Sequence, residues 1–198
     1  MYPDCDEILK MAPDYDIIPV CREIYADVIT PITLLRKLAA VSQRYYLLES
    51  VEGGEKWGRY SFLGFDPVMR VKCNCGKVTI EKDGEETEKV TDKPLEVLRE
   101  ILKDYKAPRV EGLPPFAGGF VGYFAYAMIG YAEPKLNIKK GTFNDYDMML
   151  FDKVIAYDHL KQKISIIVNM KTDKVMENYV KATAQIQDLA NLIRSQQT

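Results

Sequence analysis

Histidine is almost missing from this chain of 198 residues: His159 is the only one. With that imidazole in a predicted turn, a Ser-His-Asp or Cys-His arrangement has little to work with. Cysteine is scarce too, at four residues. Cys73 and Cys75 flank one asparagine, too close for the usual C-x2-C knuckle and without a second matching pair, so neither a metal site nor a disulfide framework is expected. Neither charge sign is in excess. Lys plus Arg number 27 against 29 Asp plus Glu, for a net charge of −2. That balance argues against nucleic acid or an anionic membrane as partner and favours a small metabolite or another protein. The N-terminal MYPDCDEILK has no basic region leading into an apolar run, so secretion is not expected and the cytoplasm is the predicted compartment. Leu113 to Ala132 carries no charge over twenty residues, long enough to cross a bilayer. Its prolines, glycines and tyrosines make it a poor membrane helix and a better buried, glycine-punctuated strand.

What remains is an ordinary globular composition, 47% hydrophobic and 28% charged, with length for one sizeable domain. Residues 22–29 read as a strand. Thr30-Pro31 reads as a helix start, threonine as N-cap and proline at N1, before the stripe Leu34, Leu35, Leu38, Val41. Strands are predicted at 45–49, 59–65, 68–73 and 77–82, with a turn at Asn74–Gly76. Asp83-Gly84 is a hairpin signal, and the charges around it mark an exposed edge ribbon. A helix over 93–105 places Leu95, Leu98, Ile101 and Leu102 inward, with Asp92 as its cap. Phe116–Tyr126 reads as a buried strand, followed by strands at 148–157 and 163–169. A long amphipathic helix spans 173–195, with Tyr179, Ala182, Ile186, Leu189 and Ile193 on one face. Antiparallel meanders with interspersed helices make the fold class α+β.

Few motifs carry chemistry. Ala117–Gly122, AGGFVG, lacks the Lys-Ser/Thr of a P-loop and the order of a dinucleotide fingerprint; glycine here more simply admits a neighbouring strand. The segment YYLLESVEGGEKWGRYSFLG, residues 45–64, says more. Glu49 can accept from an ammonium group, Ser50 can donate to a carboxylate, and Arg59 can clamp a carboxylate or hold Glu49. Leu47 and Leu48 alternate faces, so one of them can floor a small apolar pocket. This combination suits an amino acid with a hydrophobic side chain, although polar strand ends that merely face water are also common.

The segments LLES, GRYSFLG and DP, then PFAGGFVGYFAYAMI and DYDMMLFDKVIAYDH, together resemble the amino-terminal region of the anthranilate synthase component I family. The likeness runs from about Ile24 to Asn169. The aminodeoxychorismate synthase large subunit is similar in the glycine-rich segment, but its counterpart of LLES-GRYSF differs. The resemblance implies two orthogonally packed, largely antiparallel sheets, as one half of a layered enzyme fold. It divides the chain into an extension over 1–21, the amino-terminal domain over 22–170, and a connecting helix over 171–198 toward a carboxy-terminal catalytic half.

The function implied is that of the parent enzyme, a lyase of tryptophan biosynthesis. Chorismate and ammonia become anthranilate and pyruvate with Mg2+, the ammonia coming from a glutamine amidotransferase partner, component II. The resemblance also implies feedback inhibition by L-tryptophan, with Ser50 a contact, Glu49 beside it and Arg59 a further candidate. Chorismate- and Mg2+-binding segments belong to the carboxy-terminal half. Their motifs are not in this sequence, so the chain by itself is expected to hold no cofactor and to be non-catalytic. The alternative from another class is a stand-alone amino-acid-binding or interaction module.

Overall fold

A computed structural model describes residues 1–49, 58–136, 138 and 141–195. The chain divides into two compact units, each built on a five-stranded antiparallel sheet. Flanking helices complete an α+β fold, as expected from the strand pattern.

The first unit comprises 1–67, 105–118 and 152–198. Its strands β1 (Ile17–Tyr25), β2 (Tyr45–Leu48), β3 (Tyr60–Phe65), β9 (Lys153–Asp158) and β10 (Lys163–Lys171) lie in the order β1-β10-β9-β3-β2. Strand β1 begins five residues before the expected strand and contains Pro19, which an edge strand tolerates because its outward N–H is not needed. Tyr2 exchanges two backbone hydrogen bonds with Cys21 at this edge. Helix α1 (Cys5–Met11) opens with a reciprocal Asp4–Glu7 capping box and buries Ile8.

Helix α2 (Pro31–Val41) starts where the sequence predicts, the Thr30 hydroxyl accepting from the Thr33 N–H. The terminal helix α5 (Val175–Arg194) lies on β10 and β1. Its stripe of Ala182, Ile186, Leu189 and Ile193 joins Leu34, Leu38, Leu63 and the β10 residues Ile164, Ile166 and Val168 in one buried core. The opposite face of the sheet buries Cys21, Val154 and Ile167 beneath Leu113, Phe116 and Ala117. This alternation along β10, a side chain to each face in turn, is why its sequence reads as a nearly continuous apolar run.

The second unit comprises 68–104 and 119–151. Strands β4 (Met69–Asn74), β5 (Lys77–Lys82), β6 (Glu85–Val90), β7 (Gly119–Phe124) and β8 (Tyr146–Phe151) lie in the order β6-β5-β4-β8-β7. Asp83 and Gly84 both have positive φ, as a two-residue hairpin requires, and β6 is exposed along its whole length. Helix α3 (Pro94–Lys103) and the short α4 (Ile129–Ala132) complete the unit.

Four local expectations are corrected. Asp92 does not cap α3: Lys93 occupies the cap position without a side-chain bond, and the Thr91 hydroxyl accepts from the Lys93 N–H. The inward face of α3 is Pro94, Val97 and Leu98, while Leu95 and Leu102 are exposed. The stretch 148–157 is not one strand. It breaks at Asp152, whose carbonyl accepts from the backbone N–H and Nδ2 of Asn169, and its two halves join different sheets. Finally, β7 is an edge strand rather than a buried one. Tyr123 and Phe124 are exposed, and Tyr126 beyond it is 86% exposed. Gly122 allows the close approach inferred for it, since a Cβ there would lie 2.0 Å from the Asp147 carbonyl oxygen of β8.

Candidate functional site

Polar side chains converge at one end of the first sheet, where β2 stops, β3 starts and β9 turns toward β10. Register brings them together. Leu48 pairs with Phe62, Ser61 with Tyr157, and Tyr60 with Asp158. The His159 N–H donates to the Arg59 carbonyl, extending the β3–β9 ladder by one step.

Ser61 is fully buried, and its hydroxyl lies between two partners. Its Oγ is 2.7 Å from His159 Nε2 and 3.3 Å from Glu49 Oε1, an acceptor within reach of its proton. The first distance is that of a strong hydrogen bond and the second is loose for O–H···O. The imidazole also lies against the Tyr157 ring, with centroids 4.8 Å apart. Glu49 is exposed at the end of this chain of contacts.

Arg59 pairs with Asp158 rather than with Glu49. Its Nη2 and Nε reach the Asp158 carboxylate at 2.7 and 3.2 Å, and Asp158 also accepts the N–H groups of Leu160 and Lys161. Burial pushes the Asp158 pKa up, but the hydrogen bonds from Arg59 and Lys161 outweigh it and leave the group below 3.8. The hydrogen bond to Asp158 raises Arg59 in turn. The guanidinium also lies over the Tyr60 ring, 4.9 Å from its centroid. Arg59 is thus a fixed, oriented cation at the rim.

Of the three residues proposed from sequence, Glu49 and Arg59 stand at the same sheet end, and Ser50 lies outside the described residues. Sequence reasoning passed over Ser61, Asp158 and His159. The signal was present: Ser61 lies in GRYSFLG and His159 ends DYDMMLFDKVIAYDH, and these two segments are adjacent strands. Chemically the cluster offers a carboxylate for an ammonium group and a guanidinium for a carboxylate. Among its described residues it offers no accessible nucleophile, because Ser61 is buried.

Two other features are structural or lie elsewhere. Asp145 accepts from the Cys75 N–H and the Tyr131 hydroxyl, each at 2.7 Å, and from the Cys73 thiol at 3.6 Å. It ties the β4–β5 turn to the residue before β8, which accounts for the close Cys73–Cys75 spacing without a metal. Among the described residues no group of three or more His, Cys, Asp or Glu could hold a metal ion. A cavity of about 680 Å3 beside Tyr2, Cys21 and Glu111 does not reach Glu49. No helix among the described residues is long and apolar enough to cross a membrane.

Comparison with known proteins supplies the relationship. No protein-family model matches the chain. Anthranilate synthase component 1 of Acetivibrio thermocellus is 42% identical over 192 residues, 95% of this chain and 38% of that protein. The protein of the same name from Pseudomonas aeruginosa is 39% identical over 196 residues, 96% of this chain and 39% of its own length. This chain is a relative of anthranilate synthase component 1. It corresponds to the amino-terminal region and spans about two fifths of the length of the curated relatives it matches. The crystal structure of anthranilate synthase component I from Streptococcus pneumoniae TIGR4 is similar in fold, with a TM-score of 0.50 and 25% identity, over 88% of this chain and 38% of that one. The anthranilate synthase likeness therefore covers both sheets and the segments that carry Glu49, Arg59, Ser61 and His159.

Proposed function

We propose that this chain is the amino-terminal, regulatory and structural part of an anthranilate synthase component I. In that protein chorismate and ammonia are converted to anthranilate and pyruvate, a lyase reaction of tryptophan biosynthesis in the cytoplasm. A glutamine amidotransferase, component II, is the partner that delivers ammonia. Chorismate and Mg2+ belong to the carboxy-terminal region of the longer protein, and this chain alone makes no anthranilate. Its own contribution is part of the site for the feedback inhibitor L-tryptophan, with Glu49 receiving the ammonium group, Ser50 beside it, and Arg59 facing the carboxylate with its remaining N–H groups.

The observation that carries this reading is the Glu49–Ser61–His159 chain beside the Arg59–Asp158 pair. A carboxylate presented outward and an oriented guanidinium at one strand end match the two charges of an amino acid. The test is anthranilate fluorescence from the longer protein, titrated with L-tryptophan, for the parent and for Ser50→Phe. The variant is expected to need one to two decades more tryptophan, since a charge-assisted hydrogen bond contributes about 1.5–3 kcal/mol. An unchanged inhibition curve removes Ser50 from the site.

A further inference from the structure

Ser61 has one hydroxyl proton and two acceptors within reach, and both cannot receive it. The 2.7 Å contact to His159 Nε2 and the 3.3 Å contact to Glu49 Oε1 are therefore alternatives for that proton. Which one is made depends on the imidazole. A neutral His159 with its proton on Nδ1 accepts from Ser61, and Glu49 keeps its lone pairs free. A protonated His159 donates from Nε2 to the Ser61 oxygen, and Ser61 then turns its proton to Glu49.

We infer that His159 is a positioning residue of the effector site: through the Ser61 proton it decides whether Glu49 is occupied from beneath or free to accept the ammonium group of an amino acid. The inference rests on the reading of Glu49 as an effector contact. Its sign follows from charge. An imidazolium two hydrogen bonds from Glu49 competes with an incoming ammonium and spends one of the carboxylate's acceptor sites, so the acidic state binds more weakly.

Among the described residues, no other group around the imidazole is placed to reverse this. The Tyr157 ring on β9 lies tilted against it at 50°, and its hydroxyl donates to Gln162. Arg59 and Asp158 neutralise one another at the flank, and Asp158 is further occupied by the Leu160 and Lys161 amides. In the turn, the Gln162 side chain donates to the His159 carbonyl and leaves the ring alone. Ser61 is shut off from solvent, which keeps water from replacing either partner.

Because His159 is the only histidine in the chain, its ring nitrogens can be assigned without ambiguity by 15N NMR of this chain. At pH 8 the neutral ring is expected with Nδ1 protonated and Nε2 bare. A neutral ring protonated on Nε2 overturns the proposal, since Ser61 would then already be donating to Glu49. Binding of L-tryptophan to the longer protein is the second arm. Affinity is expected to be about three- to tenfold lower at pH 5.5 than at pH 8, a value set by the worth of one hydrogen bond. In Ser61→Ala and in His159→Gln that dependence is expected to disappear. If Glu49→Gln weakens binding but Ser61→Ala keeps the parent's pH response, the relay is wrong and the effector reading stands. If L-tryptophan does not bind at any pH, the effector reading falls and the relay with it.

Discussion

At the residue scale, the end of the first sheet is organised by two carboxylates with different duties. Asp158 is internal: it holds Arg59 and closes the turn by accepting the Leu160 and Lys161 amides. Its pKa lies below the 3.8 of a free carboxyl because those donors outweigh burial. A depressed carboxylate stabilises the fold above its unfolded pKa and loses that contribution as pH falls through the folded value. Asp158→Asn is therefore expected to be less stable than the parent at pH 7, with the gap narrowing below about pH 4, as urea midpoints measured against pH will show. A gap constant from pH 7 to pH 2 would mean that the Arg59 pairing contributes nothing. Two thiols supply a second residue-scale expectation. Burial, reinforced by the Glu23 charge, pushes Cys21 up to about 12. Burial with the nearby Asp145 pushes Cys73 up to about 11. Thiolate is the reactive form, so iodoacetamide at pH 8 is expected to label exposed Cys75 and partly exposed Cys5 while sparing Cys21 and Cys73, as peptide mass spectrometry will report.

At the element scale, strand β7 depends on a missing side chain. Gly122 faces Met148 in the ladder, and any Cβ would strike the β8 backbone at the Asp147 carbonyl. Gly122→Ala is expected to cost about 1–3 kcal/mol through forced separation of β7 and β8. Thermal unfolding of the variant measures that cost directly, and a neutral result would show that β7 shifts freely. The elements legible in the sequence are those with local signals: the Thr30-Pro31 start of α2, the Asp83-Gly84 hairpin and the stripe of α5. Elements defined by tertiary context were misread. The stretch 148–157 is apolar except for Asp152-Lys153, and that pair does not by itself show that the two halves serve two sheets; the break at Asp152 is held by Asn169 of another strand. Strand β7 looks buried by composition and is exposed by position, an edge with uncovered tyrosine and phenylalanine. Two of the five residues in the described cluster were legible for the same reason. Glu49 and Arg59 flank one loop, whereas Asp158 and His159 arrive only through the pairing of β3 with β9.

At the scale of the whole molecule, the chain leaves and re-enters the first unit before its site is complete. Arg59 and Asp158 are 99 residues apart in sequence, with the entire second unit between them. The site is thus a product of the finished first sheet, not of any contiguous peptide. The surrounding fold and nearly the full length of the sequence match the amino-terminal region of anthranilate synthase component 1, and the described cluster presents a carboxylate and a guanidinium at one sheet end. The proposed division of labour places regulation here and chemistry in the carboxy-terminal region of the longer protein. Glu49 tests that division most directly, because in the proposed site it is the carboxylate that meets the ammonium group. The measurement is anthranilate formation by the longer protein against L-tryptophan concentration, each variant normalised to its own uninhibited rate. Glu49→Gln is expected to move the half-inhibition concentration upward by at least about tenfold, the loss of one charge-assisted contact. Curves for parent and variant that superimpose would contradict the assignment of an effector site to this sheet end.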